Sequence, residues 1–131
     1  MSNLLALPLV QIVGQVSNNE DWIDTLVYLV GDGTDPNAPQ CDLRGINFQM
    51  EIRRTAGDHE VVLQASTTDG SLSVGAPPNI GFLIIHVPLD SMKYVTAAEY
   101  VGDIVGNDGS YQRKLVDITQ LTVNQGVTIW Q

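Results

Sequence analysis

Cys41-Asp42-Leu43-Arg44-Gly45-Ile46-Asn47-Phe48-Gln49-Met50-Glu51-Ile52-Arg53-Arg54 is the stretch that decides the fold. From Ile46 to Ile52, apolar and polar residues alternate at every step. Ile46, Phe48, Met50 and Ile52 share one face, and Asn47, Gln49, Glu51 and Arg53 share the other. A strand with one face buried and one face wet has that period. The residues before it, 42–45, read as a turn, and residues 55–58 read as a second. The strand itself is expected over 46–55.

Outward from that strand, the chain keeps the same character. Residues 7–16 are mostly apolar with several β-branched side chains, which predicts a first strand, with Pro8 at its start or on a sheet edge. Residues 17–21 form a turn cluster. Residues 22–30 are rich in β-branched and aromatic residues and favour strand over helix. Two Gly and two Pro mark 31–39 as a loop. Further strands are expected at 60–66, 71–74, 81–87, 99–105 and 110–118, and 121–123 continues the last of these or begins another. Thr68-Asp69-Gly70 and Asn107-Asp108-Gly109 suit tight reversals, because Asp, Asn and Gly tolerate a left-handed backbone. The apolar run 81–85 predicts a strand buried on both faces. Asp90-Ser91 is the expected cap of one helical turn through Tyr94. About seven to nine short strands, with turn signals roughly every 8 to 12 residues, predict an all-β sandwich or barrel in a single domain, 1–131.

Composition narrows the classes of function. Six Lys and Arg stand against fifteen Asp and Glu, a formal charge of −9. That balance repels polyphosphate, so nucleic-acid binding is not expected. No Lys or Arg precedes Arg44, so a partner of the N-terminal third is expected to be neutral or basic. With one cysteine, Cys41, no intramolecular disulfide can form, which suits a reducing compartment. Residues 1–16 lack the basic start of a signal peptide, and no run approaches the roughly 20 apolar residues of a membrane helix, so no membrane association is expected.

No constellation for catalysis emerges, and the chain is not expected to be an enzyme. His59 follows a Gly-Asp turn, and His86 sits in the 81–87 strand, at an edge or on a wet face. Neither has a nucleophile motif beside it. Cys41 reads as an inert thiol. Glu20, Asp21 and Asp24 form the densest acidic cluster, and Glu20 and Asp24 would share a face on a strand; a solvated turn explains them more simply. Residues 32–37 are oxygen-rich but lack the ligand spacing and closing Glu of a calcium loop, so neither metal nor cofactor is assigned. The aromatics Trp22, Tyr28, Phe48, Phe82, Tyr94, Tyr100 and Tyr111 are scattered as core anchors would be. Trp130, next to the last residue, is the candidate subunit contact.

The 42–54 stretch resembles the Asp-Leu-Thr-Gly, alternating strand, Ile-Arg segment of a group of small phage and prophage structural proteins. Similar domains begin the upper-baseplate proteins of tailed phages. The likeness continues in order. Residues 63–72 supply Leu, Thr-Asp-Gly and Leu; 81–89 supply Gly and an apolar strand; 100–104 supply Tyr and Asp-Ile; and Asp108-Gly109, Arg113-Lys114-Leu115 and residues 123–128 complete it. It spans about residues 40–128. Arg44 stands where that group has Thr, and Ala98 and Glu99 stand where it has Gly. Residues 1–41 are less typical, and 125–131 form a C-terminal tail. The resemblance implies an Ig-like antiparallel β-sandwich made in the host cytoplasm and built into the virion. Its role would be in the tail, baseplate or fibre attachment, with other phage structural proteins as partners and a homo-oligomer expected. It brings no catalytic residues. A capsid decoration protein and a carbohydrate-binding adhesion module are the alternatives; the latter needs exposed aromatics gathered on one face.

Overall fold

The structure is a computed structural model that describes residues 4–31 and 35–129. Among these residues eight strands form two sheets packed as a sandwich. The strands are β1 (Val10–Ser17), β2 (Trp22–Val27), β3 (Asn47–Arg53), β4 (Leu63–Ser66), β5 (Leu72–Val74), β6 (Phe82–Val87), β7 (Ala98–Asn107) and β8 (Gln112–Asn124). One sheet has the order β1-β8-β7-β3-β4, and the other β2-β6-β5. A 3-10 turn at Leu4–Ala6 precedes β1, and a four-residue helix, α1 (Leu89–Met92), follows β6.

The deciding strand is placed as its period demands. Ile46, Phe48, Met50 and Ile52 are buried, while Asn47 and Gln49 are exposed. Its flanking turns close by local hydrogen bonds. Gly45 takes φ +83°, and the Asp42 carboxylate accepts from Arg44 N–H at 3.0 Å. Arg44 also folds back to donate Nε and Nη2 to the same carboxylate, at 2.9 and 2.8 Å. Behind the strand, Asp58 N–H donates to Thr55 O, and Arg53 Nη1 donates to Asp58 O at 2.6 Å.

Several expectations need correction. The sandwich is not antiparallel throughout: β1 runs parallel to β8, from Val10 opposite Val116 to Ser17 opposite Asn124. A parallel pair needs no hairpin, so adjacent turn signals could not reveal it. The first strand starts at Val10, with Pro8 two residues outside it; β1 is a sheet edge. The second stops at Val27, and only an isolated bridge, Leu29 to Gln40, continues it. β6 is not buried on both faces. Leu83, Ile85 and Val87 are inside, whereas Phe82 and Ile84 are half-buried and His86 is exposed. The helical turn starts at Leu89, before the expected cap, and ends at Met92, with Pro88 at its N-cap and no side-chain cap hydrogen bond.

Residues 121–123 continue the strand before them, giving one long β8, and two bulges explain why its period breaks. Ile104 faces Val116 and Val105 faces Lys114, so Leu115 is an extra residue. Ile118 and Gln120 face Ile12 and Val13 of β1, so Thr119 is a second. A bulge inverts the side-chain alternation that follows it. Leu115 and Val116 are therefore both buried, Thr119 and Gln120 are both exposed, and beyond them the original parity returns. Leu115 O, at the bulge, accepts the Tyr28 hydroxyl at 3.1 Å. Tyr28 comes one residue after β2, so this buried bond ties the small sheet's connection to the large sheet.

Candidate interaction surface

The two outer faces of the sandwich differ in chemistry. On the large sheet, Glu51, Asp103 and Asp117 lie opposite one another across β3, β7 and β8. Three acids in one row would repel, and cations answer them. Arg53 reaches Glu51 at 2.7 Å, and Lys114 lies 3.9 Å from Asp103 and 3.8 Å from Asp117. Nearby, Gln120 Nε2 donates to Glu99 Oε1 at 3.0 Å. Such a face is comfortable in water.

The outer face of the small sheet carries no Asp, Glu, Lys or Arg. The β2–β6–β5 register sets Val27 against Phe82, Thr25 against Ile84, Ile84 in turn against Ser73, and Ile23 against His86. By strand alternation these seven side chains share the face away from the core. Ile23 is 65% exposed and Val27 49%, Thr25 and Ser73 are exposed, and Phe82 and Ile84 are half-buried. Isolated surface apolars are ordinary; here they are gathered on one uncharged sheet face. The alternation signal is weak here because both faces of β2 and β6 are largely apolar, which is why the 81–85 run reads as doubly buried.

His86 is the titratable group on this face, and it sits at one end. Its Nε2 lies 3.0 Å from Asp21 Oδ2, and Asp21 Oδ1 accepts from Leu89 N–H at 2.9 Å. The hydrogen bond to His86, then that to Leu89, holds the Asp21 carboxyl below its ordinary range. Asp21 therefore anchors the β1–β2 turn to the start of α1. Sixty-five residues separate Asp21 from His86, and no spacing signal links them. Both are substantially exposed, which suits a surface tie better than a catalytic pair.

The other residues singled out from sequence fall elsewhere. Glu20 precedes β2, so it shares no strand face with Asp24; its carboxylate accepts from Ser17 N–H at 2.9 Å. Asp24 has inward parity on β2, yet it is exposed at that sheet edge. An inward-pointing charge is one way an edge strand resists unwanted pairing. His59 is exposed in a turn. Cys41 is half-buried, and burial pushes its thiol pKa up, which makes it less nucleophilic. Trp22, Tyr28, Phe48 and Tyr100 are core anchors, but Tyr94 and Tyr111 are 80% and 57% exposed, and Phe82 belongs to the outer face. Trp130 and residues 32–34 of the oxygen-rich loop lie outside the described residues. Among the described residues no group of three or more His, Cys, Asp or Glu is placed to hold a metal ion, and no helix is long and apolar enough to cross a membrane.

A groove of about 780 Å³ lies at one end of the sandwich, between Asn18, Asn19, the 89–96 segment and the tail. Its floor is tied by Asn18, the one buried polar side chain among the described residues. Asn18 Nδ2 donates to Val95 O at 2.9 Å, and its Oδ1 accepts from Gly126 N–H at 2.9 Å. Asn19 Nδ2 donates to Thr128 O at 3.0 Å. The chain's own tail forms one wall, so this groove reads as the seam that docks residues 125–129.

Neither the family models nor the curated proteins compared with the chain give a match.

Proposed function

We propose that the chain is a structural or adaptor protein of a phage particle, belonging to the tail, baseplate or fibre attachment and acting by protein–protein assembly. The observation that carries the assembly part is the uncharged apolar outer face of the small sheet, on a chain whose other sheet is dressed in ion pairs. The ordered likeness across residues 40–128 supports the phage part. The Ig-like part draws support from the strand order. β8-β7-β3-β4 against β2-β6-β5 is the order of a variable-type Ig sandwich, and Tyr100 near the start of β7 donates its hydroxyl back to Thr96 O, as in a tyrosine corner. On this reading a rigid sandwich presents one apolar face to its neighbours, and water-compatible chemistry covers the opposite face.

Immunogold electron microscopy of purified particles with antibody to the chain tests the proposal. Regular label on the tail or baseplate is expected. Label confined to heads would move the protein to capsid decoration, and unlabelled particles would remove the virion role.

A further inference from the structure

Among the described residues four strands end a sheet: β1, β4, β2 and β5. A sheet edge offers N–H and C=O groups to any extended chain, and proteins blunt it with short strands, prolines or charges. Three of these four edges are blunted. β4 has four residues and β5 three, and the Ser66 N–H at the end of β4 is taken by the Asp69 and Ser71 side chains. β2 carries Asp24 at inward parity, and the Asp24 carboxylate also accepts from Thr25 N–H at 3.2 Å. β1 is different. Its eight residues, Val10–Ser17, hold no proline and no charge.

Hydrogen bonds identify which groups β1 leaves open. Successive residues of a strand turn their N–H and C=O to opposite edges. Asn18 N–H donates to Asn124 O, and Ile12 O accepts the Thr119 hydroxyl, so the even-numbered residues face β8. The odd-numbered ones face away. Ser17 N–H, the last of them, is taken by the Glu20 carboxylate. Gln11, Val13 and Gln15 remain, with their side chains exposed on the outer face of the large sheet. Their N–H and C=O groups form a strip that one extended segment would fill.

Charge selects whose segment that is. Gln11 lies opposite Asp117, so it ends the acidic row of Glu51, Asp103 and Asp117. Arg53 and Lys114 supply two cations to those three carboxylates, which leaves one negative charge in excess. A residue opposite Gln11 on an added strand would stand about 10 Å from Asp117, two strand spacings, within reach of a long cationic side chain. The β1 of a second copy has no cation to offer and brings a further −9. We infer that β1 is a strand-addition site for an extended segment of a different protein, with Lys or Arg opposite Gln11. This contact extends the assembly reading by a second surface, separate from the small-sheet face, and Glu20 marks where the added strand stops.

Nuclear magnetic resonance titration of the full chain tests this. The probes are short synthetic peptides of alternating Thr and Val with a central Lys or a central Glu. The Lys peptide is expected to shift the amides of residues 9–17 and their β8 neighbours. It should bind about threefold or more tighter than the Glu peptide at about 50 mM salt, with the gap narrowing at about 500 mM. Methylating alternate backbone nitrogens along the peptide's pairing edge should abolish binding, a control that needs no variant of the chain. Val13→Pro removes one outward N–H and spares the β8 ladder, so it should weaken the Lys peptide at least about tenfold with the circular dichroism spectrum kept. Absence of shifts at residues 9–17 with the Lys peptide at about 2 mM would overturn the inference. Equal binding of the methylated peptide would do the same, as would equal affinity for Lys and Glu. Particle labelling is read separately: labelled virions without strand addition leave the proposed function standing.

Discussion

Tyr28 illustrates how much one side chain carries in this sandwich. Its ring is buried in the core and its hydroxyl donates to the carbonyl of Leu115, the residue at the first β8 bulge. Tyr28→Phe keeps the ring but removes the donor to Leu115 O, so a loss of about 1–3 kcal/mol at neutral pH is expected in urea denaturation. Burial, with a smaller contribution from Cys41, also pushes the phenol from 10.0 up to about 12. A raised pKa means the neutral, donating form stabilises the fold fully below about pH 10, and that contribution fades as pH rises toward about 12. Tyr28→Phe should therefore flatten the alkaline part of the stability profile. Asp42 works in the opposite direction. Its side-chain hydrogen bond from Arg44, then the backbone one, holds its pKa at about 2, against 3.8 for a free carboxyl. The contribution is present above pH 3.8 and is lost as pH falls toward about 2. Asp42→Asn should show a shallower acid decline than the wild type between those values.

At the scale of elements, the alternation of β3 was legible, although the strand ends at Arg53 rather than at 55, and that of β8 was not, for reasons that lie in their side chains. Ile46 to Ile52 alternates without fault because the strand is central and regular, with β7 on one side and β4 on the other. β8 carries two bulges, so Leu115-Val116 and Thr119-Gln120 break its period, and alternation alone cannot decide whether it runs on. The parallel β1–β8 pair was invisible because it joins residues about a hundred positions apart. The close approach of β7 to β3 makes a separate test. A Cβ on Gly102 would lie 2.7 Å from Glu51 O and collide with the Ile52 side chain. Gly102→Ala should cost about 1–3 kcal/mol by overpacking, with the spectrum of a β protein retained. Gly57, in the turn after β3, has open space around its Cα and normal φ, so Gly57→Ala should be near neutral in the same melt.

For the whole molecule, the fold class and strand count could be read from pattern, but the proposed site could not. An outer face is an agreement between strands: Val27 with Phe82, Thr25 with Ile84 and Ser73, Ile23 with His86. β2 and β6 each show apolar residues at both parities, and only the pairing register reveals that one face collects them without a charge. The contrast with the ion-paired face of the large sheet turns this from a composition into an orientation. One side of the domain carries paired charges and the other none; on the proposed function the uncharged side meets a protein neighbour. The most direct measurement is the amount of chain per purified particle when wild type and a Val27→Glu, Ile84→Thr variant are expressed side by side, after melts establish that the variant folds. Incorporation of wild type with at least a tenfold loss for the variant is the expected result, the equivalent of about 1.4 kcal/mol or more of contact energy. Equal incorporation of both would contradict the assignment of the small-sheet face as the assembly surface.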